Sequence, residues 1–206
     1  MEKPILFSTQ MIQAIIDGRK TQTRRIMKPQ PVLNNGFWQW HGAGWCDNIK
    51  RVTPMPCHSM YNNAPYQPGD ILWVRETVWQ RLYRYPESEE TFYWGSEFKY
   101  AATDEEPKVG NWVKRPSIHM PHKAARIFLM VKAIRAEKLQ DISETDAIAE
   151  GVKHQWGINH NGEKTLEKVC TTVFKELWDS INAKRGYAWD VNPWVWVIEF
   201  ERVNNI

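Results

Sequence analysis

The eight residues from Gly18 to Arg25 hold the densest chemistry in the chain: three arginines (Arg19, Arg24, Arg25), Lys20 and the hydroxyls of Thr21 and Thr23, placed directly after an amphipathic run. A glycine at the end of a helical pattern reads as a left-handed cap. The residues behind it should leave the helix as a tight, partly extended turn, able to aim Lys20 and Thr23 into one pocket. The alternative is a solvated basic face, or a patch that steers phosphates.

The spacing Gly18-x-Lys20-x-x-Thr23-x-Arg25 resembles the signature of the ASCH family, a PUA-like β-barrel group associated with RNA, in which most members carry glutamate where Thr23 stands. Threonine at that point is similar to a small bacterial subgroup, the N4-acetylcytidine amidohydrolases, whose catalytic set is a lysine, a threonine and a glutamate nearer the C-terminus. Lys20 and Thr23 match the first two. Glu150, in the run from Ser143 to Gly151, looks like the third. The whole chain also resembles ASCH-type proteins encoded by phages and prophages.

The resemblance implies a metal-free, cofactor-free amidohydrolase that removes the acyl group from the exocyclic amine of N4-acetylcytidine or a related nucleoside. Amide hydrolysis needs a nucleophile, a base for its proton and an acid for the departing amine. Thr23 offers the hydroxyl. Lys20 can serve as base only if neutral, a state favoured by burial and by the charges of Arg19, Arg24 and Arg25. Glu150 would carry a proton to the exocyclic nitrogen, and Arg25 would hold the oxyanion or brace Glu150. The substrate contacts expected on this reading are Arg19, Arg25, Trp73, Arg75 and Glu76, with Trp73 or Trp94 as the wall on which a pyrimidine stacks. The rival reading is a non-catalytic PUA-like module that binds RNA or a modified nucleobase, because the basic cluster and the tryptophans serve binding equally well.

Composition narrows the partners. The 206 residues suffice for one domain with a core, and 42% hydrophobic with 25% charged residues is ordinary for a globular protein. The net charge of +3 is too small for broad capture of duplex nucleic acid, so a local basic pocket fits better. Twelve tryptophans are far above average and read as barrel core plus stacking surfaces. Three scattered cysteines, Cys46, Cys57 and Cys170, argue against a disulfide framework and for a reducing compartment. With neither a leader pattern nor a long apolar span, the expectation is a cytoplasmic protein with no membrane contact and no obligate protein partner.

The elements that must position these residues emerge from periodicity. The apolar run from Pro4 to Phe7 suits a buried strand; Ser8 or Thr9 can cap a helix whose Met11, Ile12, Ile15 and Ile16 share a face; Gly18 ends it, and a strand resumes near Arg24. Residues 28–68 read as an insertion with a hairpin turning at Asn35 and Gly36. His41, Cys46, Cys57 and His58 lie there without the paired spacing that structural zinc uses, so they read as loop residues. A turn at Gly69 leads into a strand from Ile71 to Val74. In ASCH-like proteins a Gly-Asp-x-Leu-x-Val strand borders the ligand cleft, which is what draws attention to Arg75 and Glu76; a plain salt bridge is the alternative.

Residues 81–121 suggest short strands or a lid, and His119 and His122 polar surface. A long strand comes next, from Ala125 to Leu139, then a capping box of Ser143 and Asp146 opens a short helix ending at Gly151. Glu150 falls in its last turn, where the macrodipole disfavours a carboxylate, a cost that suits a functional residue. Residues 153–164 read as a polar loop, Thr165 as the start of a packing helix through Ile181, and residues 193–203 as a closing strand. The expected architecture is α+β: a single ASCH, PUA-like barrel over residues 1–206 with flanking helices and insertions at about 29–66 and 84–122.

Overall fold

The computed structural model describes residues 1–40, 43–47, 64–85, 91–158 and 160–203. The fold is mixed α+β, and mostly strand. Among the described residues the strands form open sheets rather than a closed barrel. The chain divides into two compact units, one made of Met1–Gly18, Asp70–Met130 and Glu201–Ile206, the other of Arg19–Gly69 and Val131–Phe200. No described helix is long and apolar enough to cross a membrane.

In the first unit, strand β1 (Glu2–Leu6) pairs in parallel with β6 (Ile71–Arg75), Ile5 opposite Val74. Parallel neighbours need a connection that leaves the sheet and returns. Helix α1 (Thr9–Ile16) begins that connection. Ser8 caps it by accepting from the Met11 N–H, Ile12, Ala14 and Ile15 are buried, and Gly18 closes it at φ +73°. The left-handed turn there is the reason for glycine. Of the short strands or lid expected over 81–121, strands are what form: an antiparallel sheet in the order β8–β7–β9, from β7 (Val78–Arg84), β8 (Phe92–Tyr100) and β9 (Trp112–Arg115). Val78 anchors it against Met120 and Ala124.

In the second unit, β2 (Gln22–Ile26) pairs antiparallel with β13 (Trp194–Val203), Arg24 opposite Val197. Residues Trp194 to Ile198 are all buried, which requires a cover on both faces of the strand. On one face, Val195 and Val197 join Leu139, Ile142, Ala147, Phe174 and Trp178, supplied largely by helices α2 (Glu144–Ala149) and α3 (Cys170–Asn182). On the other, the hairpin of β3 (Val32–Asn34) and β4 (Phe37–Trp40) sets Trp38 edge-on to Trp194 and Trp40 edge-on to Trp196, each at 5.3 Å between centroids. Its turn is the expected one, with Asn35 and Gly36 both left-handed at φ 49° and 81°. Strand β5 (Ala43–Asp47) extends this sheet. Of Cys46, in β5, only the backbone is described; His41, Cys57 and His58 lie outside the described residues.

Strand β10 (Phe128–Lys138) is the long strand expected after Ala125. Its first three residues pair with β6 in the first unit, and the remainder neighbours β13 in the second. The capping box is formed as expected: Ser143 Oγ accepts from the Asp146 N–H at 3.0 Å and Asp146 Oδ2 accepts from the Ser143 N–H at 3.3 Å. Replacing this cap, Ser143→Ala, is expected to cost about 1 kcal/mol in urea unfolding with an unchanged m-value.

Two expectations fail between residues 153 and 169. The polar loop is a hairpin of β11 (Gln155–Ile158) and β12 (Lys164–Lys168), and the packing helix starts at Cys170, not Thr165. The reason is a cap from elsewhere in the sequence. The Glu144 carboxylate accepts from the backbone N–H of Cys170 at 2.6 Å and of Thr171 at 3.0 Å, which fixes the first turn there.

Candidate functional site

The site is built around one backbone crossing. Lys20 and Glu150 form an isolated antiparallel bridge; the Thr21 N–H donates to Ala149 O at 2.9 Å and Thr21 O accepts from the Phe200 N–H at 2.9 Å. The segment entering β2 is thereby laid against the end of α2. Glu150 is the C-cap of that helix, and Gly151 behind it takes φ +92°, so the chain turns away as soon as the carboxylate is placed.

Side chains complete the convergence. Lys20 Nζ donates at 2.8 Å to Glu150 Oε2, to Glu150 O and to Gln22 O. Arg24 Nη1 reaches the other carboxylate oxygen, Glu150 Oε1, at 3.2 Å, and its Nη2 pairs with Glu137 and Asp146. Solvent is excluded: the Lys20 and Arg24 side chains are 0% exposed and that of Glu150 is 3% exposed. The two cations offset the macrodipole cost implied by the position of Glu150. Arg135 extends the network through Glu137, Asp146 and Glu199. The sequence marks Arg24 only as one of three charges beside Lys20. The alternation of β2 puts it on the Glu150 side, as the second clamp on that carboxylate.

Burial lowers the Lys20 pKa and the Glu150 charge opposes that effect, while Arg25 and Arg24 lower it further. The hydrogen bonds show what the amine can do. With three acceptors around Nζ, an ammonium satisfies all of them, and the bond to the carboxylate is charge-assisted.

Thr23 lies in β2 opposite Ile198 and is buried at 2% exposure. Strand alternation places its side chain on the face it shares with Arg25, not the face of Arg24. Among the described residues no hydrogen bond joins its hydroxyl to Lys20 or Glu150. Arg25 is half-buried and within electrostatic reach of Glu150, Tyr66 and Arg185. Arg19 Nη1 donates to Gly151 O and borders a cavity of about 320 Å³ that Ile148, Val152, His154, Trp156 and Cys170 also line.

Trp73, Arg75 and Glu76 belong to the first unit and are engaged there. Glu76 is 1% exposed and held by Arg126 through both oxygens, at 2.8 and 3.0 Å, which is the plain salt bridge weighed against a pocket role. Arg75 donates to Ile118 O and lies 5.4 Å from the Trp73 ring centroid, and His122 packs edge-on against Trp73. Trp94, 49% exposed, lies under the Arg115 guanidinium.

Partial burial pushes the Asp146 carboxyl up, but its hydrogen bonds from Ser143 and the charge of Arg24 outweigh that and hold it below the ordinary value. A carboxyl depressed in the folded state adds stability that is full above its unfolded pKa, about 3.9, and is lost as pH falls through the folded value. Asp146→Asn is therefore expected to flatten the acid limb of stability below about pH 4, measured as urea midpoint against pH.

No family model matches the chain, and neither the curated proteins nor the solved structures compared with it include a match.

Proposed function

We propose that the protein is an amidohydrolase acting on the exocyclic amide of N4-acetylcytidine or a related acylated nucleoside, on an ASCH-type, PUA-like scaffold. The observation that carries this reading is the Lys20–Glu150 hydrogen bond at 2.8 Å in a site closed to solvent, joined to the motif that places Thr23 three residues after Lys20. Transfer of the shared proton from Lys20 to Glu150 gives a neutral amine and a carboxylic acid side by side. Lys20 then takes the Thr23 hydroxyl proton as Oγ1 attacks the acyl carbon, a step that requires the hydroxyl to come from the Arg25 face of β2 within reach of Nζ as substrate binds, and Glu150 gives its proton to the exocyclic nitrogen as the C–N bond breaks. The products are cytidine and a Thr23 ester. Water admitted as cytidine departs gives a proton to the Glu150 carboxylate and attacks the ester carbonyl; the acid leaves as the Thr23 oxygen takes that proton from Glu150, restoring the hydroxyl and the Lys20–Glu150 pair. Arg25, which shares the Thr23 face of β2, would hold the oxyanion on this reading.

The test is direct: incubate the purified chain with N4-acetylcytidine and separate the nucleosides by chromatography. Release of cytidine and acetate in equal amounts is expected. A second reading, a binding module for a modified base without turnover, draws on the complete enclosure of the Lys20 side chain and on the lack, among the described residues, of a Thr23 bond to it. Saturable binding of N4-acetylcytidine with no cytidine formed would select that reading and reject the hydrolase.

A further inference from the structure

A second cluster of reactive side chains stands where α2 begins, at the end opposite Glu150. Glu144 is the first residue of α2, Cys170 the first of α3, and His154 lies between Gly151 and β11. One ligand atom from each, the carboxylate oxygen, the thiol sulfur and the imidazole nitrogen, lies within 4.8 Å of the other two. Glu144 Oε1 and His154 Nδ1 are 3.4 Å apart. In a tetrahedral site with bonds of 2.0 to 2.3 Å, donor atoms stand about 3.3–3.7 Å from one another, so that pair already has the required separation, and the sulfur lies within 4.8 Å of both atoms.

Two further features argue for a ligand rather than a simple cap. The His154 Nδ1 atom is buried and stands 3.4 Å from the Glu144 carboxylate without forming a hydrogen bond among the described residues, so the pair offers two donor atoms that one bound ion would satisfy together. The Glu144 carboxylate is fixed by the Cys170 and Thr171 N–H groups, the kind of outer hydrogen bonding that orients a metal-binding carboxylate while leaving lone pairs for the ion. Capping accounts for the two backbone contacts of Glu144 but not for the approach of the imidazole and the thiol to the same carboxylate. We propose that Glu144, His154 and Cys170 bind a divalent transition ion of the zinc class.

The donor set of one thiolate, one imidazole and one carboxylate suits a borderline-soft ion and excludes magnesium or calcium as the preferred occupant. On binding, Cys170 releases its proton to solvent and the sulfur bonds to the ion; the burial and the Glu144 charge that otherwise hold the thiol protonated are overcome by the charge of the ion itself. His154 and Cys170 also line the 320 Å³ cavity, so a water molecule has room to complete four-coordination. The ion would tie the start of α2 to the start of α3 and so steady the helix that presents Glu150. The spacing of 10 and 16 residues between the three ligands matches no paired zinc motif, which hides the set from a sequence reading.

Cobalt(II) titration of the full chain, previously dialysed against a chelator, tests this. Wild type is expected to take up about one equivalent with a sulfur-to-cobalt charge-transfer band that zinc(II) abolishes by competition. His154→Gln, at a partly exposed position, is expected to weaken binding at least about tenfold, and Cys170→Ser to remove the band, while Cys46→Ser/Cys57→Ser retains it. A band absent from wild type, unchanged in His154→Gln, or lost only with Cys46 and Cys57 would overturn the assignment. The readout is spectroscopic, so it stands or falls independently of cytidine release.

Discussion

Thr23→Val is expected to fold like the parent chain and to lose at least about 10³-fold in cytidine release from N4-acetylcytidine, the scale on which loss of a nucleophile leaves only binding and electrostatic assistance. The substitution keeps the branched shape that β2 accommodates, and among the described residues no hydrogen bond joins the hydroxyl to Lys20 or Glu150. The unfolding free energy should therefore change by less than about 1 kcal/mol. Thr23→Ser, which restores a hydroxyl, should recover part of the rate. A Thr23→Val protein that still releases cytidine would remove the threonine from the mechanism even if the hydrolase activity itself is real.

The largest loss of stability is expected from Lys20→Met, about 3–5 kcal/mol, because it strands the buried Glu150 carboxylate with Arg24 as its one remaining ion-pair partner among the described residues. Glu150→Gln strands Lys20 in the same way. The double variant Lys20→Met/Glu150→Gln should lose less than the sum of the two single losses, with a coupling of about 1–3 kcal/mol by urea unfolding. Simple additivity would mean that the two groups do not stabilise one another. This cycle also protects the activity assay from misreading, since an inactive Lys20→Met protein counts as catalytically impaired only once its folded fraction is known.

Much of the framework is legible in the sequence because local rules decide it. Ser8 and Ser143 are caps by residue type and position, Gly18 and Gly151 end helices because the turn behind them needs positive φ, and Asn35 with Gly36 is a hairpin turn for the same steric reason. The approach of Lys20 to Glu150, across most of the chain, is reached through resemblance to a motif and not from periodicity. What local rules could not show is decided by distant partners. The start of α3 is held by a carboxylate from α2; the second clamp on Glu150 depends on which face of β2 Arg24 occupies; and Glu76 is satisfied by Arg126, far along the chain. The residues 29–66, read as an insertion, include the hairpin that covers one face of β13, and only the structure shows that Trp38 and Trp40 are there for Trp194 and Trp196.

That pairing of rings gives the second unit a built-in optical gauge. Indoles set edge to face at this separation exchange excitation, so their coupled ultraviolet circular dichroism depends on the hairpin staying seated on β13. Detachment of the hairpin would erase the couplet and shift emission to longer wavelength, and comparing that change with the loss of the backbone signal would show the order of unfolding without any added label.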